Sequence, residues 1–175
     1  QLPPAVFGPA YQPPRSDGSG ANRDNLRRAA TLLRAAGLSI RNGVATMPDG
    51  KPFTVEILNY EPGFERVFLP YIESLKRIGV QASLRTVDAA QYQRRTEEFD
   101  FDVGIVRLAM PLTPGVEQRA LWSSAAADTV GSFNRGGVKD PVVDALVDRI
   151  VLAEDRAALV AACRALDRVL MHRRY

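Results

Sequence analysis

Apolar and polar side chains alternate along residues 99–106, and this period of two is typical of a half-buried strand. The alternation ends after Arg107, where Pro111, Pro114 and Gly115 prevent continued strand pairing. In open α/β sheets, small molecules usually bind beside the segment that leaves the carboxyl end of a strand. The pattern therefore predicts a strand that leads into a ligand-binding loop.

The preceding part of the chain carries two similar alternations of strand and helix. Strand patterns occupy residues 53–57 and 80–86, and amphipathic helix patterns occupy residues 64–78 and 88–97. Pro70 predicts a kink in the first of these helices, or a helix that begins near Leu69. Connections of this length need right-handed crossovers, which favour a largely parallel sheet with helices packed on it. The predicted fold class is therefore α/β.

The pattern of breakers and caps divides the chain into three parts. Residues 1–21 are rich in proline and glycine, including Pro3, and are predicted to form a crossover segment. Residues 22–139 are expected to form the α/β lobe, whose first helix stops at a glycine. Asp140, as an N-cap, begins a predicted helical segment at 140–175.

The composition is that of an ordinary folded protein. Of the 175 residues, 46% are hydrophobic and 25% are charged, which allows one good core or two small ones. No stretch approaches the roughly 18 unbroken apolar residues of a membrane span. The first ten residues also lack the pattern of a signal peptide, so we expect a cytosolic protein or a processed or excised piece.

Several chemistries are excluded or disfavoured by the residues present. Cys163 is the only cysteine, which rules out a disulfide within the chain and a cysteine metal cluster, and its apolar helical stripe predicts buried packing. His172 is the only histidine, and its basic helix near the chain end predicts a solvated surface position. Asp100 and Asp102 share one strand face, but no further ligands are spaced to complete a cation shell. We therefore expect these carboxylates to face solvent or to form ion pairs with arginine, and we expect no catalytic residue, metal or cofactor.

The charge of the chain is modestly positive. The formal net charge is +3, and arginine is much commoner than lysine. Arginines of the first predicted helix could form a nucleic-acid-binding face or a solvated helix surface: Arg23, Arg27, Arg28 and Arg34. No aromatic residues interleave with them, which favours the solvated surface. We expect no nucleic-acid partner.

The segment after the third predicted strand carries side chains suited to binding a peptide. Arg107 offers a bidentate donor, Thr113 a hydroxyl, Gln118 an amide and Trp122 an aromatic surface. These groups match the carbonyls, carboxylates and apolar faces of peptides. The alternative is an ordinary loop with Trp122 packed in the core.

Three long stretches resemble bacterial extracellular solute-binding proteins of family 5, the oligopeptide and dipeptide receptors of ABC importers. They are ANRDNLRRAATLLRAAGL, LKRIGVQASLRTVDAAQYQRRTEEFDFDV and KDPVVDALVDRIVLAEDRAALVAACRALDRVLM. Within that family, the phrases FDFD, PGVEQ, LWSSAAAD and GSFNRGGVKDP are most similar to the Yej-type subgroup. That subgroup is associated with peptides, peptide–nucleotide antibiotics and murein-derived fragments.

The resemblance implies a fold, a function and a set of partners. The fold implied is the second lobe of a periplasmic-binding-protein-like type II structure: a small, mostly parallel sheet flanked by helices, with C-terminal helices returning toward a missing first lobe. The function implied is the non-enzymatic substrate-binding component of an ABC transporter that imports oligopeptides or peptide-like solutes. The full-length protein would be periplasmic or otherwise extracytoplasmic, secreted or lipid-anchored. Its partners would be the solute, the first lobe and an ABC permease.

The sequence departs from the family at one position of interest. Many peptide-binding members place a tryptophan and an aspartate just after the third strand, and that aspartate pairs with the amino group of the ligand. This sequence has Arg107 and no acidic residue there, which leaves Glu117 as the candidate substitute. The complete predicted ligand-binding set is Arg107, Thr113, Gly115, Glu117, Gln118, Trp122, Asn134, Arg135 and Tyr92.

Two functions of other classes stay open from the sequence. A nucleic-acid-binding module would use the arginine-rich helices, and its affinity would fall steeply with added salt. A small-molecule transferase or hydrolase would need a partner domain to supply the missing groups.

Overall fold

The computed structural model describes residues 4–175, which form two compact units. We call residues 14–96 and 100–106 the sheet unit, and residues 4–13, 97–99 and 107–175 the helical unit. Pro3, part of the predicted crossover segment, lies outside the described residues.

The sheet unit contains short strands and most of the helices of the first half of the chain. In chain order these elements are α1 (Arg23–Ala35), β1 (Ser39–Arg41), β2 (Val44–Thr46), β3 (Thr54–Asn59), α2 (Glu65–Lys76), β4 (Gln81–Thr86) and α3 (Ala89–Glu97). Strands β3 and β4 pair in parallel, in register from Thr54 opposite Gln81 to Asn59 opposite Thr86. The α/β class and the parallel pairing predicted from the sequence are therefore confirmed.

The core of the sheet unit lies between the parallel strands and α2. Ile57, Ile72 and Ala82 are buried together there, with Phe68 and Leu75 packed against them. Helix α2 runs from Glu65 through Pro70 to Lys76, so a helix start near Leu69 is wrong. A short 3-10 turn at Pro62–Phe64 leads directly into the helix, which therefore begins before Pro70 is reached.

The predicted third strand at 99–106 is largely wrong. This segment pairs with β3 at a single parallel bridge, between Val103 and Ile57. The Val103 N–H donates to the Glu56 carbonyl at 3.2 Å, and the Leu58 N–H donates to the Val103 carbonyl at 2.8 Å. The segment lies beside β3, a position that the sequence did not predict, and these two backbone hydrogen bonds join them.

Side chains replace the ladder on both sides of that bridge. The Asp102 carboxylate accepts the Glu56 N–H at 2.8 Å. The Tyr92 hydroxyl donates to the Ile105 carbonyl at 2.6 Å and accepts the Ile105 N–H at 2.8 Å. Phe99 has a φ of 59°, which a continuous strand does not allow. Alternation alone could not reveal these contacts.

A β-hairpin formed by β1 and β2 was missing from the sequence prediction. The two strands pair antiparallel around a two-residue turn at Asn42 and Gly43. Both turn residues have positive φ, 50° and 80°, as a type I′ turn requires. The Asn-Gly dipeptide was the available signal for this hairpin.

The helical unit is built on three helices, α4 (Glu117–Trp122), α5 (Pro141–Val151) and α6 (Arg156–Arg173). Helices α5 and α6 enclose a core that includes Val138, Val143, Val147, Leu166 and Val169. As predicted, Asp140 caps α5, accepting the N–H of Val142 at 2.8 Å. None of the helices within residues 4–175 is long and apolar enough to cross a membrane.

Polar contacts join α4 and the short 3-10 turn after it, Ser124–Ala126, to α5 within the helical unit. Arg119 pairs with Asp148 at 2.9 Å, and the N–H and hydroxyl of Ser124 donate to the Asp144 carboxylate at 2.7 and 2.6 Å. Residues from 107 onward therefore pack with the C-terminal helices. The boundaries expected from the sequence, a lobe at 22–139 and a helical segment at 140–175, stay predictions.

Candidate functional site

The predicted binding loop is irregular along residues 107–116, a segment we call the rim loop. Arg107 and Thr113 are exposed, and Leu112 is 95% exposed. The expectation that the loop continues to residue 122 is wrong, because α4 begins at Glu117. Residues 117–122 contain no proline or glycine, and a glutamate in the first turn suits the positive end of a helix.

Glu117 fastens the end of the rim loop to α4. Its carboxylate accepts the Gly115 N–H at 2.8 Å and the Gln118 side-chain amide at 3.2 Å. The Gly115 hydrogen bond is the main reason that the pKa of Glu117 lies below its usual value, and the Gln118 amide contributes to the same shift. Glu117 is therefore already bonded within the loop, although it was the candidate partner for a ligand amine.

Gln118 lies beneath the rim loop. Its side chain is 2% exposed, and its amide nitrogen is 3.9 Å from the Met110 sulfur. Its backbone N–H donates to the Gly115 carbonyl at 3.1 Å. These contacts hold the loop from inside, and they leave little of Gln118 accessible to a solute.

Trp122 is half-buried and packs against the core of α5 and α6. The sequence left open whether this ring faces a ligand or the core, and the structure packs it against the core while part of it stays accessible. Asn134 is 1% exposed, and its amide donates to the carbonyls of Ser123 and Val138, both at 2.9 Å. Its oxygen accepts the Val138 N–H at 2.9 Å. Arg135, next to it, is half-buried.

The predicted set is thus divided by the fold. Eight of its nine residues belong to the helical unit, whereas Tyr92 lies in the sheet unit with its hydroxyl bonded to Ile105. Arg107 and Thr113 are the exposed polar members. Glu117, Gln118 and Asn134 make contacts that shape the loops around them.

A polar group at the carboxyl ends of the parallel strands was not predicted from the sequence. Asn59 and Thr86 end β3 and β4. The Asn59 amide donates to the Thr86 hydroxyl, which in turn donates to the Glu65 carboxylate. The position was available from the sequence, because both residues follow apolar strand patterns and ligands favour this edge. The contact between Asn59 and Thr86, which lie 27 residues apart, could not be predicted from the sequence.

The other candidate chemistries have structural counterparts. Asp100 pairs with Arg95 at 2.7 Å, as expected, and Arg95 also binds Glu56 at 2.8 Å. Cys163 packs half-buried against the core of the helical unit, where burial raises the pKa of its thiol. Within residues 4–175, no group of three or more histidine, cysteine, aspartate or glutamate side chains could hold a metal ion.

A comparison with models of known protein families shows which family the chain belongs to. The model of the bacterial extracellular solute-binding proteins, family 5 Middle, matches residues 2–129. The chain belongs to this family. The resemblance read from the sequence is confirmed.

Relatives of this family 5 chain include the Yej-type proteins. It is 47% identical to the "Probable peptide-binding protein YejA" of Agrobacterium fabrum over 176 residues, covering 100% of this chain and 29% of that protein. It is 38% identical to the "Peptidoglycan-binding protein YepA" of the same organism, covering 99% of this chain and 28% of the relative. The chain therefore spans less than a third of these relatives.

The fold is shared with a solved oligopeptide-binding protein. AppA from Bacillus subtilis, in complex with a nonapeptide, superposes with a TM-score of 0.74 at 20% identity. The match covers 94% of this chain and 34% of AppA. The type II periplasmic-binding-protein fold predicted for the chain is thus confirmed.

Proposed function

We propose that this chain is one lobe of the substrate-binding component of an ABC transporter that imports oligopeptides or peptide-like solutes. The observation that carries the proposal is family 5 membership, together with a YejA-type relative whose name describes peptide binding. The share of the relatives that the chain covers supports a longer protein with a second lobe. We infer that this protein works outside the cytoplasm, hands its solute to a membrane permease and performs no chemistry on it.

We assign the direct solute contacts on the helical unit to the rim loop. Arg107 supplies fixed positive charge and N–H donors, which suit peptide carbonyl or carboxylate oxygens. Thr113 adds a hydroxyl, and Gly115 brings the backbone close to the surface at the point fastened by Glu117. In this proposal Gln118 holds the rim loop in position from below, while Trp122 and Asn134 anchor α4 and the segment that follows it.

Replacing Arg107 by alanine in the full-length protein is the direct test. We expect the affinity for tri-alanine or penta-alanine, measured by calorimetry, to fall about tenfold, because one charge-assisted hydrogen bond is lost. The thermal stability should hardly change, because Arg107 is exposed.

Arg119→Ala provides the matched control. Arg119 is an exposed arginine of the helical unit that pairs with Asp148, and the proposal gives it no contact with solute. Its replacement should leave peptide affinity unchanged. The absence of peptide binding by the wild-type protein would contradict the function, and equal affinities of both variants and wild type would contradict the role of Arg107.

A further inference from the structure

The carboxyl edge of the parallel strands is organised by one buried amide. Asn59, the last residue of β3, is 0% exposed. Its side-chain nitrogen donates to the Glu61 carbonyl at 2.9 Å and to the Thr86 hydroxyl oxygen at 3.2 Å, and its oxygen accepts the Glu61 N–H at 3.2 Å. A buried amide is stable only when its hydrogen bonds are made, and here they fix the ends of both strands.

Thr86 links the buried Asn59 amide to a carboxylate through its hydroxyl group. Because its oxygen receives the Asn59 amide hydrogen, its single hydroxyl hydrogen is free to donate elsewhere, and it donates to Glu65 Oε1 at 2.9 Å. Glu65 is the first residue of α2, where the helix dipole favours a negative charge. The three side chains form a directed chain, from a buried amide through a hydroxyl to an acid.

The second oxygen of Glu65 is available at this edge. Among the interactions of the described residues, Glu65 hydrogen-bonds only through Oε1, and its side chain is half-buried while Thr86 is exposed. Next to Asn59 in the sequence, Tyr60 packs its ring against Tyr92 with the centroids 4.5 Å apart. An oriented carboxylate oxygen therefore lies at the end of the sheet where α/β proteins bind ligands.

We propose that Asn59, Thr86 and Glu65 form a second solute-binding subsite, in which Glu65 Oε2 accepts an N–H of the solute. This assignment rests on the proposed function, because it takes the solute to be peptide-like. A carboxylate accepts hydrogen bonds both from a peptide amide and from an ammonium group, and charge assistance strengthens either bond. Glu65 is the contacting group, whereas Thr86 and Asn59 are positioning residues.

The chain offers a matched pair of carboxylates for the test. Glu65→Gln removes the charge at the proposed subsite, and Glu73→Gln removes an exposed charge of the same helix that pairs with Lys76 at 2.7 Å. Calorimetry on the full-length protein, with tri-alanine as the probe, should show about tenfold weaker binding for Glu65→Gln. Glu73→Gln should bind like the wild type.

Variants of Thr86 separate positioning from folding. Thr86→Ser keeps the hydroxyl and should retain wild-type affinity, whereas Thr86→Val keeps the shape, removes the hydroxyl and should weaken binding several-fold. N-acetylated tri-alanine identifies the donor. If the donor is the ammonium group, the acetylated peptide loses its sensitivity to Glu65→Gln; if it is an amide, both peptides lose affinity equally.

The outcomes distinguish this subsite from the function on which it rests. Wild-type binding of tri-alanine with unchanged affinity in both Glu65→Gln and Thr86→Val would overturn the subsite and leave the proposed function standing. Loss of affinity in Glu73→Gln as large as in Glu65→Gln would also overturn it, since general charge would then explain the effect. A wild-type protein that binds neither peptide would overturn both proposals.

Discussion

Gly79→Ala is expected to lower the free energy of unfolding of the sheet unit by about 3 kcal/mol, the sum of backbone strain and overpacking. Gly79 has a φ of +85°, which L side chains rarely adopt, and a Cβ there would lie 2.7 Å from the Ala45 nitrogen and 2.9 Å from the Gly43 oxygen. Both contacts are backbone atoms of the β1–β2 hairpin, so no side chain can move aside. Urea denaturation of the 175-residue chain, followed by circular dichroism, measures the loss.

Gly50→Ala is the control for that experiment. Gly50 has nearly the same φ, +86°, but a Cβ at this position would meet no heavy atom within 4 Å. Its replacement should cost only about 1 kcal/mol, from backbone strain alone. Equal losses for the two variants would show that the hairpin does not pack tightly on Gly79.

Asn134→Ala is expected to destabilise the helical unit by about 3 kcal/mol, because it leaves buried backbone groups without partners. The amide of Asn134 bonds to the carbonyls of Ser123 and Val138 and to the Val138 N–H, and Val138 is fully buried. Fluorescence of Trp122, the only tryptophan, reports unfolding of this unit directly.

Thr129→Ala provides the comparison within the same loop region. The Thr129 hydroxyl donates to the Ala125 carbonyl at 3.0 Å, but this hydrogen bond is exposed and water can replace it. We expect a loss below about 0.5 kcal/mol. A stability of Asn134→Ala equal to that of Thr129→Ala would contradict the structural role of Asn134 and favour its predicted place in the ligand-binding set.

Local signals in the sequence predict the elements that depend on local physics. Asp88 and Asp140 have the pattern of helix caps, and both accept backbone N–H groups of the helices that follow them. The Asn42–Gly43 hairpin is equally local, and although the sequence analysis missed it, its dipeptide is the signal that could have predicted it. The alternation at 99–106 predicted a strand, but this segment forms only a single bridge to β3.

The features that could not be predicted depend on contacts between distant residues. The hydroxyl of Tyr92 ends the ladder at Ile105, thirteen residues away, and nothing in the alternation records that contact. Nothing in the sequence distinguishes Asn59 and Asn134 from exposed asparagines, and only the fold shows that both are buried. Candidate binding residues chosen by chemical type therefore included Asn134, which the fold buries, and omitted the edge formed by Thr86 and Glu65.

Hydrogen exchange of the full-length protein with and without tri-alanine tests the central claim most directly. If the rim loop contacts the solute, amides of residues 107–116 should exchange more slowly when the peptide is bound, while those of α6 should be unchanged. Saturating peptide that protects other segments and leaves residues 107–116 exchanging as before would contradict the account.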